Sequence, residues 1–194
     1  MAGPRGGLTV LSRRRVAILL AVSAASLAIY GCGGDDRRAE RICPRVEILE
    51  YADRLTEFRP GPGRDVTDVA VQGRLVNFAG ECEVAEGSVE IDLVVEFSLD
   101  RGPANRAGKA RFAHFVAIQE FHPDPAGKRV FPVEIEFEAG RDRALFRDRV
   151  AIAIPLAGGR KARDHNVFIG FQLDRGQLDY NRSGGARRPT PAGG

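Results

Sequence analysis

Reactive side chains are few in this 194-residue chain, and their spacing leaves little chemistry open. The three histidines, His114, His122 and His165, stand eight and 43 residues apart. No local pair begins a metal site, which needs several ligands converging at fixed distances. His122 and Asp124 can meet in a turn, but a solvated loop pair accounts for them as well. His114 falls on the apolar parity of a strand, where a hydrogen-bonded, partly buried imidazole is the usual role. Ser88, Ser98 and Ser183, the serines beyond residue 31, lie in neither Gly-x-Ser-x-Gly nor Ser-x-x-Lys. No glycine loop leads into a helix to cradle phosphate. Glu134, Glu136 and Glu138 put three carboxylates on one strand face. A divalent cation would find charge there, yet such rows usually serve as a solvated face or a guard against aggregation. Cys32, Cys43 and Cys82 form no Cys-x-x-Cys, so thiol-redox catalysis has no motif. No catalytic residue, metal site or cofactor is predicted, and the chain is expected not to be an enzyme.

The chemistry of Cys32 depends on what precedes it. Residues 1–31 carry Arg5, Arg13, Arg14 and Arg15 and no acidic residue, and Val16 to Tyr30 is free of charge. A basic start, a short apolar run and small residues at a cut describe an export signal. As a helix the run would be roughly 22 Å long at about 1.5 Å per residue, short of the ~30 Å hydrocarbon core. Leu27-Ala28-Ile29-Tyr30-Gly31-Cys32, with Ile29 three before the cysteine, resembles the lipobox of bacterial lipoproteins. The resemblance implies a diacylglyceryl group on the Cys32 sulfur, cleavage after Gly31 and acylation of the new amine. Tyr30 departs from the family, which prefers a smaller residue there. Gly33 in place of Asp implies the outer membrane rather than inner-membrane retention. A plain signal peptide with a chance cysteine, and hence a secreted chain, competes with this.

Removing residues 1–31 takes away four of the 29 basic residues and none of the 26 acidic ones. What remains, 163 residues with 25 basic and 26 acidic, is near neutral. A nucleic-acid binder concentrates positive charge, so no nucleic-acid partner is expected. With Cys32 given to lipid, Cys43 and Cys82 are left, and in an oxidising compartment such a pair usually bridges. Two free buried thiols are the alternative.

Positioning falls to β-strands. Val89, Ile91, Leu93, Val95, Phe97 and Leu99 occupy every odd place from Ser88 to Asp100, a strict period of two that marks a half-buried strand. A first strand is read across Val46 to Phe58, although a short helical turn also fits. The second runs from Val66 to Phe78, with a phase slip about Gly73 of the kind a bulge or bend produces. Ala79 to Cys82 is read as a turn. Ala110 to Ile118, Phe131 to Phe137, Val150 to Leu156 and Val167 to Leu173 complete about seven strands. Pro132 places its strand at an edge. Alternating acidic and basic outward rows fit a local antiparallel meander. Together these predict an all-β, single antiparallel β-sandwich, immunoglobulin-like, behind a cleaved lipoprotein signal peptide. The divisions are 1–31 signal, 32–42 lipidated tether, 43–181 sandwich and 182–194 a polar tail without periodicity.

Cys43-Pro44-Arg45-Val46, Gly80-x-Cys82, Phe115 to Ile118, Phe131-Pro132-Val133 and Phe168 to Leu173 through Tyr180-Asn181-Arg182 are similar to small alphaproteobacterial lipoproteins of unassigned function. The resemblance covers most of residues 43–182 and implies an envelope lipoprotein, with no catalytic residue to carry over. The expected partners are the membrane, through the lipid, and an envelope protein bound by a loop or an edge strand. The expected place is the periplasmic face of the outer membrane, with the inner membrane as alternative. A periplasmic carrier of an apolar ligand or lipid is the second functional expectation. Phe115 and Phe168, if on outward parities, mark either a contact surface or the second layer of a sandwich.

Overall fold

A computed structural model describes residues 42–185. The leader, Cys32, the tether to residue 41 and the tail from residue 186 lie outside the described residues. In chain order the elements are β1 (Arg45–Ile48), β2 (Arg54–Phe58), β3 (Val69–Ala85), β4 (Ser88–Arg101), β5 (Lys109–Ile118), β6 (Lys128–Glu136), β7 (Arg143–Pro155), β8 (Asn166–Phe171) and one helix, α1 (Arg175–Arg182). They form an all-β sandwich of two four-stranded sheets, ordered β2-β3-β4-β7 and β1-β8-β5-β6. Every pairing is antiparallel except the parallel β1–β8 contact. The likeness to an immunoglobulin domain lies in the two-sheet architecture; with three consecutive strands kept in one sheet, the strand order is different.

β4 is the centre of the core. Its odd-numbered row, Val89 to Leu99, is at most 3 % exposed, because the strand has neighbours on both sides and the second sheet over its inner face. Phe97 meets Phe112 and Phe171 of the facing sheet at 5.5 and 5.1 Å between ring centres. Aromatic pairs at such separations stabilise beyond the area they bury.

The apolar stretch from Val46 to Phe58 is two strands, not one, and they belong to different sheets. Between them Tyr51 adopts φ +64°, and Ala52 lies against Gly170, where a Cβ would come within 2.7 Å of the alanine methyl. The missing period of two reflects this crossing. The phase slip in β3 is a bulge, placed by the register between Leu75 and Asn77. It turns Val76 out to 51 % exposure and moves the inward parity from odd to even. Gly73 stays in line and faces Phe171, with room for no Cβ. Ala79 to Cys82 is therefore not a turn: β3 continues to Ala85 and reverses at Gly87, with φ +80°. Gly80 is small because Leu93 lies over it.

The charge alternation is realised partly as a meander gives it, between consecutive β5 and β6 (Lys109–Glu136 and Arg111–Glu134), and partly with other partners, since β4 meets β7 instead of β5. β4 pairs with β7 and β5 with β6, giving Glu96–Arg147 at 2.7 Å and Asp100–Arg143 at 2.6 Å. The loop after β4 carries the chain to the other sheet instead of back along the first. Asn105 fastens that loop by donating to Lys109 O and accepting from Gly108 N–H. α1, absent from the sequence expectation, opens with an Asp174–Gln177 capping box.

Cys43 and Cys82 form a disulfide with Cα atoms 5.8 Å apart. It joins the entry to β1 in one sheet to the far arm of β3 in the other. Closing a loop of 39 residues stabilises the fold by about 4 kcal/mol in the chain-entropy model. Urea unfolding with and without reductant should show a loss approaching that figure, reproduced by a Cys43→Ser/Cys82→Ser double variant. An unchanged midpoint would mean that the bridge constrains nothing.

Candidate functional site

The fold takes two histidines into the interior and leaves the third outside. His114 stands on the inner row of β5, 1 % exposed, with Nε2 2.7 Å from Oδ2 of Asp148 on β7. With Asp148 ionised, Nε2 carries the proton and donates. Phe131 stacks on the imidazole and Phe97 lies against it, each 5.1 Å away centre to centre. The pair is a polar link between the two sheets at their β6–β7 side. His165, at the entry to β8, is also 1 % exposed; its Nδ1 is 3.6 Å from Glu120, whose carboxylate accepts from the backbone and side-chain N–H groups of Asn166. His122 and Asp124 are exposed in the turn before β6.

Each buried imidazole thus has a carboxylate, an arrangement that acid–base catalysis also uses. Among the described residues His114 Nδ1 and both His165 ring nitrogens have no hydrogen-bond partner, so no described hydroxyl or thiol is poised against them. Among the described residues no group of three metal-ligating side chains converges. The glutamate row is occupied by cations: Glu134 by Arg111 at 2.7 Å, Glu136 by Lys109 and Glu138 by Arg141 at 3.0 Å. The Arg111 hydrogen bond and charge hold the Glu134 carboxyl below the ordinary glutamate range.

Phe115 lies on the outward parity but is only 5 % exposed, so it is not a contact surface. Lys128 Nζ sits 4.4 Å from its ring centre, and the close approach of Ala52 to Gly170 covers the same patch. Phe168 is half-buried.

What the sandwich does present is a strand edge. An open sheet ends in unpaired N–H and C=O groups, which other chains can pair with. β1 is four residues long. At β2, Asn181 of α1 donates to Arg54 O and Tyr51 O, and Tyr180 packs edge-on against Phe58 at 5.2 Å. At β6, Phe137 N–H donates to Gly108 O, so odd residues face β5 and the missing N–H of Pro132 faces the free side, as edge placement requires. β7 is different. Leu156 N–H donates to Gly87 O, and Arg101 N–H to Asp142 O, which fixes the even residues of β7 on β4. Arg143, Leu145, Arg147, Arg149, Ala151 and Ala153 therefore direct their backbone groups away from the sheet. The only cap on that row among the described residues is Arg129, whose Nη1 donates to Ala151 O at 2.8 Å. Leu145 is 78 % exposed.

Beside β7, half-buried Phe131, Val133 and Ile135 of β6 face half-buried Ala144 and Phe146 across the open flank of the sandwich. At its end is a hollow of about 750 Å³, rimmed by Glu136, Glu138, Arg141, Asp142 and Arg143. A smaller one of about 150 Å³ sits at the disulfide beside Val46 and Phe78. The first is charged and the second is below the ~300 Å³ at which ligand pockets begin.

No family model, curated protein or solved structure matches the chain. Among the described residues no helix is long and apolar enough to cross a membrane. The β7 edge was missed in the sequence because inward Asp148 and outward Leu145 break the apolar alternation over Ala144 to Arg149; strand periodicity begins only at Val150.

Asp148→Ala leaves a buried imidazole nitrogen unpaired and should cost about 1–3 kcal/mol in urea unfolding; no loss would remove the inter-sheet link from the account. Because the folded pKa of Glu134 lies below its unfolded value, its stabilisation is present above the unfolded value and disappears as pH falls through the folded one. NMR titration should give Glu134 a midpoint below that of an ordinary glutamate, returning toward it in Arg111→Gln. A normal midpoint in the parent protein would contradict the pairing.

Proposed function

We propose that this chain is a lipid-anchored envelope protein that binds a protein partner by adding its strand to β7, without catalysis. The observation that carries the proposal is the 13-residue edge of β7, whose outward backbone groups are capped by described residues at one carbonyl only. Strand addition uses such a row for affinity and the alternating side chains for specificity. β1 and β2 are short and β6 carries Pro132, and the far arm of β3, which β2 does not reach, is held at Cys82 by the disulfide; β7 is the longest edge strand open along its whole length. The leader and Cys32 supply the anchor in this proposal. Two or three acyl chains hold where one gives only reversible binding, at about 0.8 kcal/mol per buried CH₂. A disulfide between Cys43 and Cys82 accords with an exported chain, and the outer membrane, periplasmic face, is the proposed site. A carrier of an apolar ligand has less to support it, since the interior is packed and the larger hollow is charged at its rim.

A photo-crosslinking residue placed at Leu145 or Arg149 in intact cells should capture the same protein from both positions and nothing at Glu90, which is exposed on the central strand β4. Mass spectrometry of the mature chain should find acylated Cys32 as its first residue. Equal capture at Glu90, or a mature chain starting elsewhere and free in the medium, would overturn the edge and the anchor respectively.

A further inference from the structure

We infer that the segment received by β7 is an acidic, alternating strand of a different protein, laid along Arg143–Arg149 and limited there by Arg129. This rests on the edge proposal above and specifies what the edge selects.

A second copy adding its own β7 fits poorly. When β7 pairs antiparallel with itself, the residue on the two-fold axis sets the register. An axis at any residue from 145 to 149 sets arginine directly against arginine among Arg143, Arg147 and Arg149, and like charges directly opposite are destabilising. An axis at residues 150 to 153 instead needs the carbonyl of Ala151, which Arg129 holds at 2.8 Å. Arg129 is itself kept in place over the Phe131 ring, 5.3 Å from its centre. Axes outside that range overlap by three residues or fewer, and those toward the C-terminal end meet Pro155, which has no N–H. The border therefore disfavours pairing of β7 with a second β7 at every useful register.

The same features describe what does fit. From Arg143 to Arg149, a span of seven residues, no described residue caps the outward N–H and C=O groups. Side chains of an added strand alternate. One row would lie over Phe131, Val133 and Ile135 of β6 and beside Phe146, half-buried groups that gain from apolar cover. The other row would lie beside Arg143, Arg147 and Arg149. Arg143 and Arg147 already hold Asp100 and Glu96, whereas Arg149, opposite Val94, makes no ion pair among the described residues. A carboxylate across from Arg149 supplies one. The expected ligand is thus an extended segment with apolar and acidic residues in alternation, ending where Arg129 crosses the border.

The test uses the full mature chain in detergent and two labelled heptapeptides, one alternating Glu and Val, the other Lys and Val. Both are N-methylated on one edge so that they cannot stack on themselves. Fluorescence anisotropy should show the Glu peptide binding and the Lys peptide not. Arg149→Glu should weaken the Glu peptide by about tenfold and admit the Lys peptide, with Arg149→Gln as the milder variant. An 11-residue Glu–Val peptide should gain over the heptapeptide only in Arg129→Ala. Equal binding of both heptapeptides, or indifference to Arg149, would overturn the acidic specificity and leave the edge proposal standing. A longer peptide that gains in the parent protein would overturn the stop at Arg129. No binding by either peptide, together with no partner crosslinked at Leu145, would overturn the edge proposal itself.

Discussion

An open β-sheet cannot satisfy the backbone groups along its own borders, and a sandwich of two such sheets has four borders to manage. That constraint organises this molecule. β1 is short, Asn181 of α1 caps β2, a proline interrupts β6, and the arm of β3 that runs beyond β2 is held at Cys82 by the disulfide. Along the 13 residues of β7, the described residues place a single arginine over one carbonyl. Edges left so nearly bare are aggregation liabilities unless something pairs with them, so this asymmetry is the feature that calls for a functional explanation.

The rest of the fold keeps that border rigid. β7 is hydrogen-bonded along its length to β4, whose inner row is at most 3 % exposed. The strand that offers its free side to solvent is thus fixed by its other side to the centre of the core. Two links tie the sheets together at opposite flanks: the Cys43–Cys82 bridge beside β1 and β3, and the His114–Asp148 hydrogen bond beside β6 and β7. The second lies next to the open border. An aspartate facing inward on a strand needs a partner, and the imidazole of β5 is that partner. A polar pair at this flank also explains why the core does not simply close over it with larger apolar residues.

Much of the architecture was legible in the residues. The period of two in Val89 to Leu99 identified β4, Pro132 marked an edge, and the parity change around Leu75 announced a bulge. The disulfide followed from the count of cysteines once Cys32 was set aside. What stayed hidden was hidden for physical reasons. Opposite charges on alternating strands do not say which strands pair, because Glu96 and Asp100 can meet arginines of β7 as readily as cations of β5. Gly80 resembled a turn residue, but it is small for the sake of Leu93. Phe115 resembled an exposed aromatic, yet Lys128 and the crossing at Ala52 cover it. The borders could not be ranked at all, since whether an edge is bare depends on Asn181 and Arg129 reaching it from elsewhere in the chain.

Residue-resolved hydrogen exchange of the native protein tests the bare border most directly. If β7 is held by β4 alone, protection alternates along it: Phe146, Asp148 and Val150 exchange slowly, with the strand they bond to, while Leu145, Arg147 and Arg149 exchange as solvent-facing amides. Uniformly slow exchange from Arg143 to Arg149 in the isolated protein would mean that the edge is already covered, and the account built on it would be wrong.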